Sequence, residues 1–153
     1  MNPRPTFHID DLTGAPIRAL IAQHLAGMHE HSPPESVHAF DIDKLRAPDV
    51  TFWSAWVGDE LAGCGALRRI DGARGEIKSM RVVDAFLGRG VGRALVALAF
   101  ERATARGAQR IELDTNEHNR GAIGLYESLG FSTSSKAHGE LRGRDVFMGR
   151  RLP

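Results

Sequence analysis

Met80-Arg81-Val82-Val83-Asp84-Ala85-Phe86-Leu87-Gly88-Arg89-Gly90-Val91-Gly92-Arg93-Ala94-Leu95 is the stretch that decides how this chain folds. It reads as the end of a strand, a glycine-rich turn and the start of a helix. Glycines at 88, 90 and 92 let the backbone turn tightly and approach a ligand closely. The helix after them carries Val91, Leu95, Leu98 and Ala99 on one side. Its first N–H groups have no intrahelical partners, and the helix dipole favours negative charge at that end. A phosphate or pyrophosphate suits such an end, and Arg89 and Arg93 add positive charge beside it. Taken alone, the stretch fits a plain strand-to-helix connection equally well, so the flanking sequence decides.

The chain has 153 residues, which predicts one domain over 1–153 with a real core. Hydrophobic residues make up 42% and charged residues 25%, as in ordinary soluble proteins. A net charge of +1 gives no reason to expect a nucleic-acid partner. Arg142, Arg144, Arg150 and Arg151 read as solvated strand and turn residues. Cys64 is the single cysteine, which rules out an internal disulfide and fits a reducing compartment. Between Gly63 and Gly65 in a strand-like run, it reads as structural, not nucleophilic. Residues 1–10 lack the apolar region of a signal peptide. No apolar run approaches the ~20 residues that span a bilayer. A cytoplasmic protein without a membrane partner is expected.

Upstream of the glycines, Thr6–Leu12 alternates as a first strand. Thr13 is placed to cap a helix with Pro16 in its first turn, followed by Ile17, Leu20, Ile21, Leu25 and Met28 at helical spacing. Pro33-Pro34 stops any helix, and 39–47 suits a second short one. Thr51–Val57, Leu61–Ile70 and Arg74–Val82 are strands joined by Gly58-Asp59-Glu60 and Asp71-Gly72-Ala73, an antiparallel meander. Downstream, Val91–Arg106 is a helix, Arg110–Thr115 a strand and Asn119–Leu129 a helix stopped by Gly130. Phe131–Ala137 and Val146–Leu152 close the sequence as strands. Strand, helix and strand from 76 to 115 imply a parallel pair within a mixed α/β sheet.

A Walker A loop requires Gly-Lys-Ser/Thr, and Gly92 is followed by Arg93-Ala94. A dinucleotide fingerprint has its glycines directly after a strand, whereas 83–87 intervene here. Two segments instead resemble the GNAT superfamily of acyl-CoA-dependent N-acyltransferases. Met80-x-Val82 followed by Leu87-Gly88-Arg89-Gly90-Val91-Gly92 looks like the family's Gln/Arg-x-x-Gly-x-Gly/Ala loop, with Leu87 in place of the Gln or Arg. Asn119-x-x-Ala122-x-x-Leu125-Tyr126-x-x-x-Gly130-Phe131 resembles its second signature. The element order agrees over nearly the whole chain.

The resemblance implies a mixed, mostly antiparallel sheet of about six to seven strands, splayed at the coenzyme site and flanked by about four helices. It implies acetyl-CoA as co-substrate, with its pyrophosphate on the backbone from Leu87 to Arg93 (Gly88, Arg89, Gly90, Val91 and Gly92 between) and its pantetheine arm along Met80, Arg81 and Val82. An amine would attack the thioester directly, with the Met80 N–H as oxyanion donor. Tyr126, the only tyrosine, would protonate the leaving thiolate. Asn119 would bond the pantetheine or cap its helix. Glu76, four residues before Met80, would take the amine's proton, directly or through water.

The segment between the first two helices would help form the acceptor pocket. Glu35 could hold an ammonium and His29, His31 or Lys78 a carboxylate, with Ser32 and Trp53 completing an amino-acid-like acceptor site. His29, His31 and His38 lack the ligand set of a structural zinc site, so no metal is expected. The function implied is acetyl transfer to a small primary amine, with acetylation of protein N-termini or lysines, or a non-catalytic acyl-CoA sensor, as alternatives. A homodimer stays open.

Overall fold

The glycine-rich stretch sits at the edge of a break in a seven-stranded sheet ordered β1-β2-β3-β4-β5-β7-β6. A computed structural model describes residues 4–28, 38–116, 119–133 and 145–152, with side chains except at 24–28, 38–41, 116 and 145. The strands are β1 (Thr6–Ile9), β2 (Val50–Val57), β3 (Glu60–Arg69), β4 (Arg74–Val82), β5 (Arg110–Asn116), β6 (Ser132–Thr133) and β7 (Asp145–Arg151). The helices are α1 (Ala15–Met28), α2 (His38–Leu45), α3 (Val91–Ala105) and α4 (Arg120–Ser128). β1 through β4 form the antiparallel meander, and α3 carries the chain to β5, parallel to β4. The expected mixed, mostly antiparallel sheet with four helices is what forms.

Alternation along the strands splits the core in two. Trp53, Leu67, Ile77, Val91, Leu95, Ile111, Tyr126 and Met148 pack on the α3–α4 side. Phe52, Cys64 and Ala66 meet Leu12, Ile17, Leu20, Ile21 and Leu45 on the α1–α2 side. Each strand serves both faces because successive side chains point to opposite sides.

Three local expectations change. β1 stops at Ile9 because Asp10 Oδ1 accepts the Leu12 N–H (2.8 Å) and Asp11 Oδ1 accepts the Thr13 N–H (3.1 Å), so the chain turns. Thr13 does not cap α1: its hydroxyl donates to Asp11 (2.6 Å), and Gly14 accepts the first helical bond, from Arg18 (3.1 Å). The spacer after β4 holds a 3-10 turn, Asp84–Phe86, anchored by the buried Phe86 ring. Among the described residues, no helix is long and apolar enough to cross a membrane.

Candidate active site

Two interruptions in the ladders of β4 create the site. On one side, β4 pairs with β5 only from Arg74 to Glu76, opposite Arg110 to Glu112, and beyond that point the two strands part. On the other, Ser79 and Met80 stand opposite Gly65 alone, a bulge between the Cys64–Arg81 and Ala66–Lys78 pairs. Ser79 takes φ 55, a left-handed value that non-glycine residues seldom adopt. Met80 therefore has a register partner on neither side, at the mouth of a wedge between β4 and β5.

The loop closes the wide end of that wedge. Gly88 and Gly90 have φ of 76 and 81, which explains glycine at both positions. No side chain caps α3, and the first bond closing its turn runs from the Ala94 N–H to the Gly90 carbonyl (3.0 Å). Among the described residues, the N–H groups of Gly88 to Arg93 have no protein acceptor. Val91 and Gly92 are buried, and a Cβ built at Gly92 would lie 3.1 Å from Leu125 and 3.4 Å from Val82, so β4, α3 and α4 converge there.

The Leu87 N–H donates to the Asp84 carbonyl (3.2 Å), so the unpartnered donors begin at Gly88, and its side chain is exposed. The arginines are held sideways. Arg89 lies over the Phe86 ring at 5.4 Å, and Arg93 donates to Ser128 (3.0 Å). Both leave positive charge near the loop.

Tyr126 is 5% exposed and meets Phe131 edge-on at 5.5 Å. Burial pushes its phenol up to about 12. Asn119 caps α4, its side chain accepting the Ala122 N–H (3.4 Å) and donating to Thr115 (3.5 Å). Glu76 is buried and accepts from Arg68 at 3.1 Å, its register partner on β3. At ~3.3 Å per residue it lies roughly 10–13 Å along β4 from Met80, too far for direct contact with a group bound there. Glu76 and Lys78 share the α1–α2 side, since Lys78 pairs with Ala66.

Trp53 packs in the core on the α3–α4 side. Its strand neighbour Phe52 takes that other side, as alternation requires. His29, His31, Ser32 and Glu35 lie outside the described residues. No metal-binding group occurs among the described residues. A cleft of about 420 Å³ lined by Ile9 to Leu12, Arg46 and Arg102 lies away from the wedge. Sequence reasoning missed Ser79 and Arg68, and assigned Cys64 no part. The Gly63-Cys64-Gly65 run was the available sign that β3 faces something irregular.

The profile of the Acetyltransferase (GNAT) family matches residues 17–131. The Bacillus subtilis (strain 168) protein named uncharacterized N-acetyltransferase YsnE is 50% identical over 125 residues, 80% of this chain and 83% of that one. The Escherichia coli (strain K12) protein named uncharacterized N-acetyltransferase YedL is 47% identical over 110 residues, 72% and 69% of the two chains. The fold matches an acetyltransferase from Streptococcus agalactiae 2603 with TM-score 0.78 at 20% identity, over 97% of this chain and 98% of that one. It also matches an aminoglycoside 6'-N-acetyltransferase complexed with coenzyme A, with TM-score 0.75 at 17% identity over 97% of each chain. With the split sheet, the uncapped helix and the two motifs in place, the chain belongs to the GNAT family of N-acetyltransferases.

Proposed function

We propose that this chain moves an acetyl group from acetyl-CoA to the primary amine of a small, amino-acid-like molecule, by direct attack in a ternary complex. The observation that carries this reading is the run of unpartnered N–H groups from Gly88 to Arg93 beside the β4–β5 wedge. Free backbone donors at a helix start suit a pyrophosphate. A slot between parting strands suits a thin pantetheine arm, and the backbone at Met80, Arg81 and Val82 can pair with its amides.

The two sides of the sheet then divide the work. On the α3–α4 side, Tyr126 protonates the departing thiolate of coenzyme A. On the α1–α2 side, Glu76 receives the amine's proton through water, and Lys78 holds an acceptor carboxylate. The Met80 N–H meets the oxyanion in the wedge. Asn119 acts by fixing the start of α4, which holds Tyr126 in place. The 29–36 segment, with His29, His31, Ser32 and Glu35, is the remaining candidate for the acceptor site and lies outside the described residues.

The test is acetyl-CoA with a panel of primary amines and amino acids, read by release of free thiol. The expected result is release above hydrolysis with a subset of small amines. Tight acetyl-CoA binding with no turnover on any amine overturns the enzyme reading in favour of a sensor. Turnover confined to peptides overturns the acceptor class alone.

A further inference from the structure

Cys64 is fully buried beside the bulge, and no step above uses it. Its thiol donates to the Ser79 carbonyl at 3.3 Å. Arg81 is its partner across the ladder. One side chain on β3 thus holds the carbonyl of the residue just before Met80.

The Ser79 carbonyl and the Met80 N–H are two ends of one peptide unit. That unit is planar and trans, so its C=O and N–H point in opposite directions. β4 lies between β3 and β5. A carbonyl drawn to the Cys64 thiol, on the β3 and α1–α2 side, therefore sends the Met80 N–H the opposite way, and the side of β4 away from β3 is where β5 parts beyond Glu112. A hydrogen bond to the carbonyl also polarises the peptide and strengthens its N–H as a donor. The bulge takes both Ser79 and Met80 out of register with β3, and the Cys64 thiol bonds the Ser79 carbonyl there.

We propose that Cys64 is a positioning residue for acetyl transfer: its thiol, bonded to the Ser79 carbonyl, aims the Met80 N–H at the thioester oxygen in the wedge. The proposal rests on the reading that the thioester lies there. A buried thiol suits the task because it stays protonated and donates at working pH; burial pushes it up to about 12. Cys64 takes no part in covalent chemistry here.

The test compares wild type with Cys64→Ser, Cys64→Ala and Cys64→Val. Serine keeps a donor, alanine removes it, and valine removes it while filling the space, so a folded variant without the donor is available. Acetyl-CoA labelled with carbon-13 at the carbonyl is bound to each, and the thioester stretch is read by difference infrared spectroscopy. The expected result is a downshifted stretch in wild type and Cys64→Ser, largely lost in Cys64→Ala and Cys64→Val. With an acceptor from the amine panel, kcat should fall on the order of 10- to 100-fold in the last two with KM for acetyl-CoA unchanged. A purely structural role would lower the melting temperature and leave the stretch alone. An unchanged stretch and kcat in both alanine and valine variants overturns the role of Cys64. Absence of any downshift in wild type overturns the thioester placement itself, which is a separate result.

Discussion

Tyr126 shows how burial would set the terms for the proton donor proposed above. Its ring is enclosed by the α3–α4 core, and no hydrogen bond to its hydroxyl occurs among the described residues. Burial holds the phenol near 12, so it is neutral and ready to donate across the physiological range. A phenolate left behind would be disfavoured by the same burial, so donation must be followed promptly by reprotonation. Tyr126→Phe is expected to lower kcat by on the order of 100-fold or more, the usual worth of a positioned acid. Its acetyl-CoA affinity, measured by calorimetry, should not change, and nor should its stability, because no protein hydrogen bond is lost. The wild-type kcat should also show no alkaline fall up to about pH 10, since the donor does not ionise below about 12. The place of Tyr126 on α4 was legible because a second signature surrounded it in the sequence. The Arg68 guanidinium on Glu76 was not, because that pair exists only through the β3–β4 register, which no local pattern specifies.

Among the elements, helices and strands were readable wherever side-chain periodicity governs them. Arg74–Val82 was read to the residue, and α3 to within one. The bulge at Ser79-Met80 left no sign within the β4 sequence itself, because its left-handed residue is a serine, held by a contact from the neighbouring strand. The opening between β4 and β5 followed from family resemblance alone, since nothing in the hydrophobic pattern marks where two parallel strands part. α4 allows a direct separation of structure from binding. Asn119 accepts the Ala122 N–H as a helix cap, so Asn119→Ala should cost about 1 kcal/mol in urea unfolding. Asn119→Asp and Asn119→Ser keep an oxygen at the cap and should restore most of that stability. If Asn119 also donates to the pantetheine, neither replacement will restore acetyl-CoA affinity, because each lacks the amide N–H. Recovery of affinity together with stability would leave Asn119 with the cap alone.

At the scale of the whole molecule, two buried groups on opposite sides of the sheet tie stability to alkaline pH. The Cys64 thiol is raised from 9.0 to about 12 and the Tyr126 phenol from 10.0 to about 12, both chiefly by burial. In the unfolded chain each regains its ordinary value. Between about pH 9 and about pH 12 the unfolded state has therefore released protons that the folded state still holds. Stability then falls as pH rises, by about 1.4 kcal/mol per pH unit for each group inside its window. Over the full window this is about 4 kcal/mol for Cys64 and about 3 kcal/mol for Tyr126, together comparable with the whole stability of many domains. Below about pH 9 neither group contributes any slope. Urea midpoints taken at unit steps from about pH 8 to about pH 11 should stay level at first and then drop. Cys64→Ala should flatten the drop that begins near pH 9, and Tyr126→Phe the part that begins near pH 10. A drop of equal steepness in both variants would mean that neither group is buried and protonated as the structure has it. Cys64→Ser separates the two roles of that position. A serine hydroxyl does not ionise in this range, so the variant should lose the alkaline slope while keeping the donor to Ser79 and, with it, acetyl transfer.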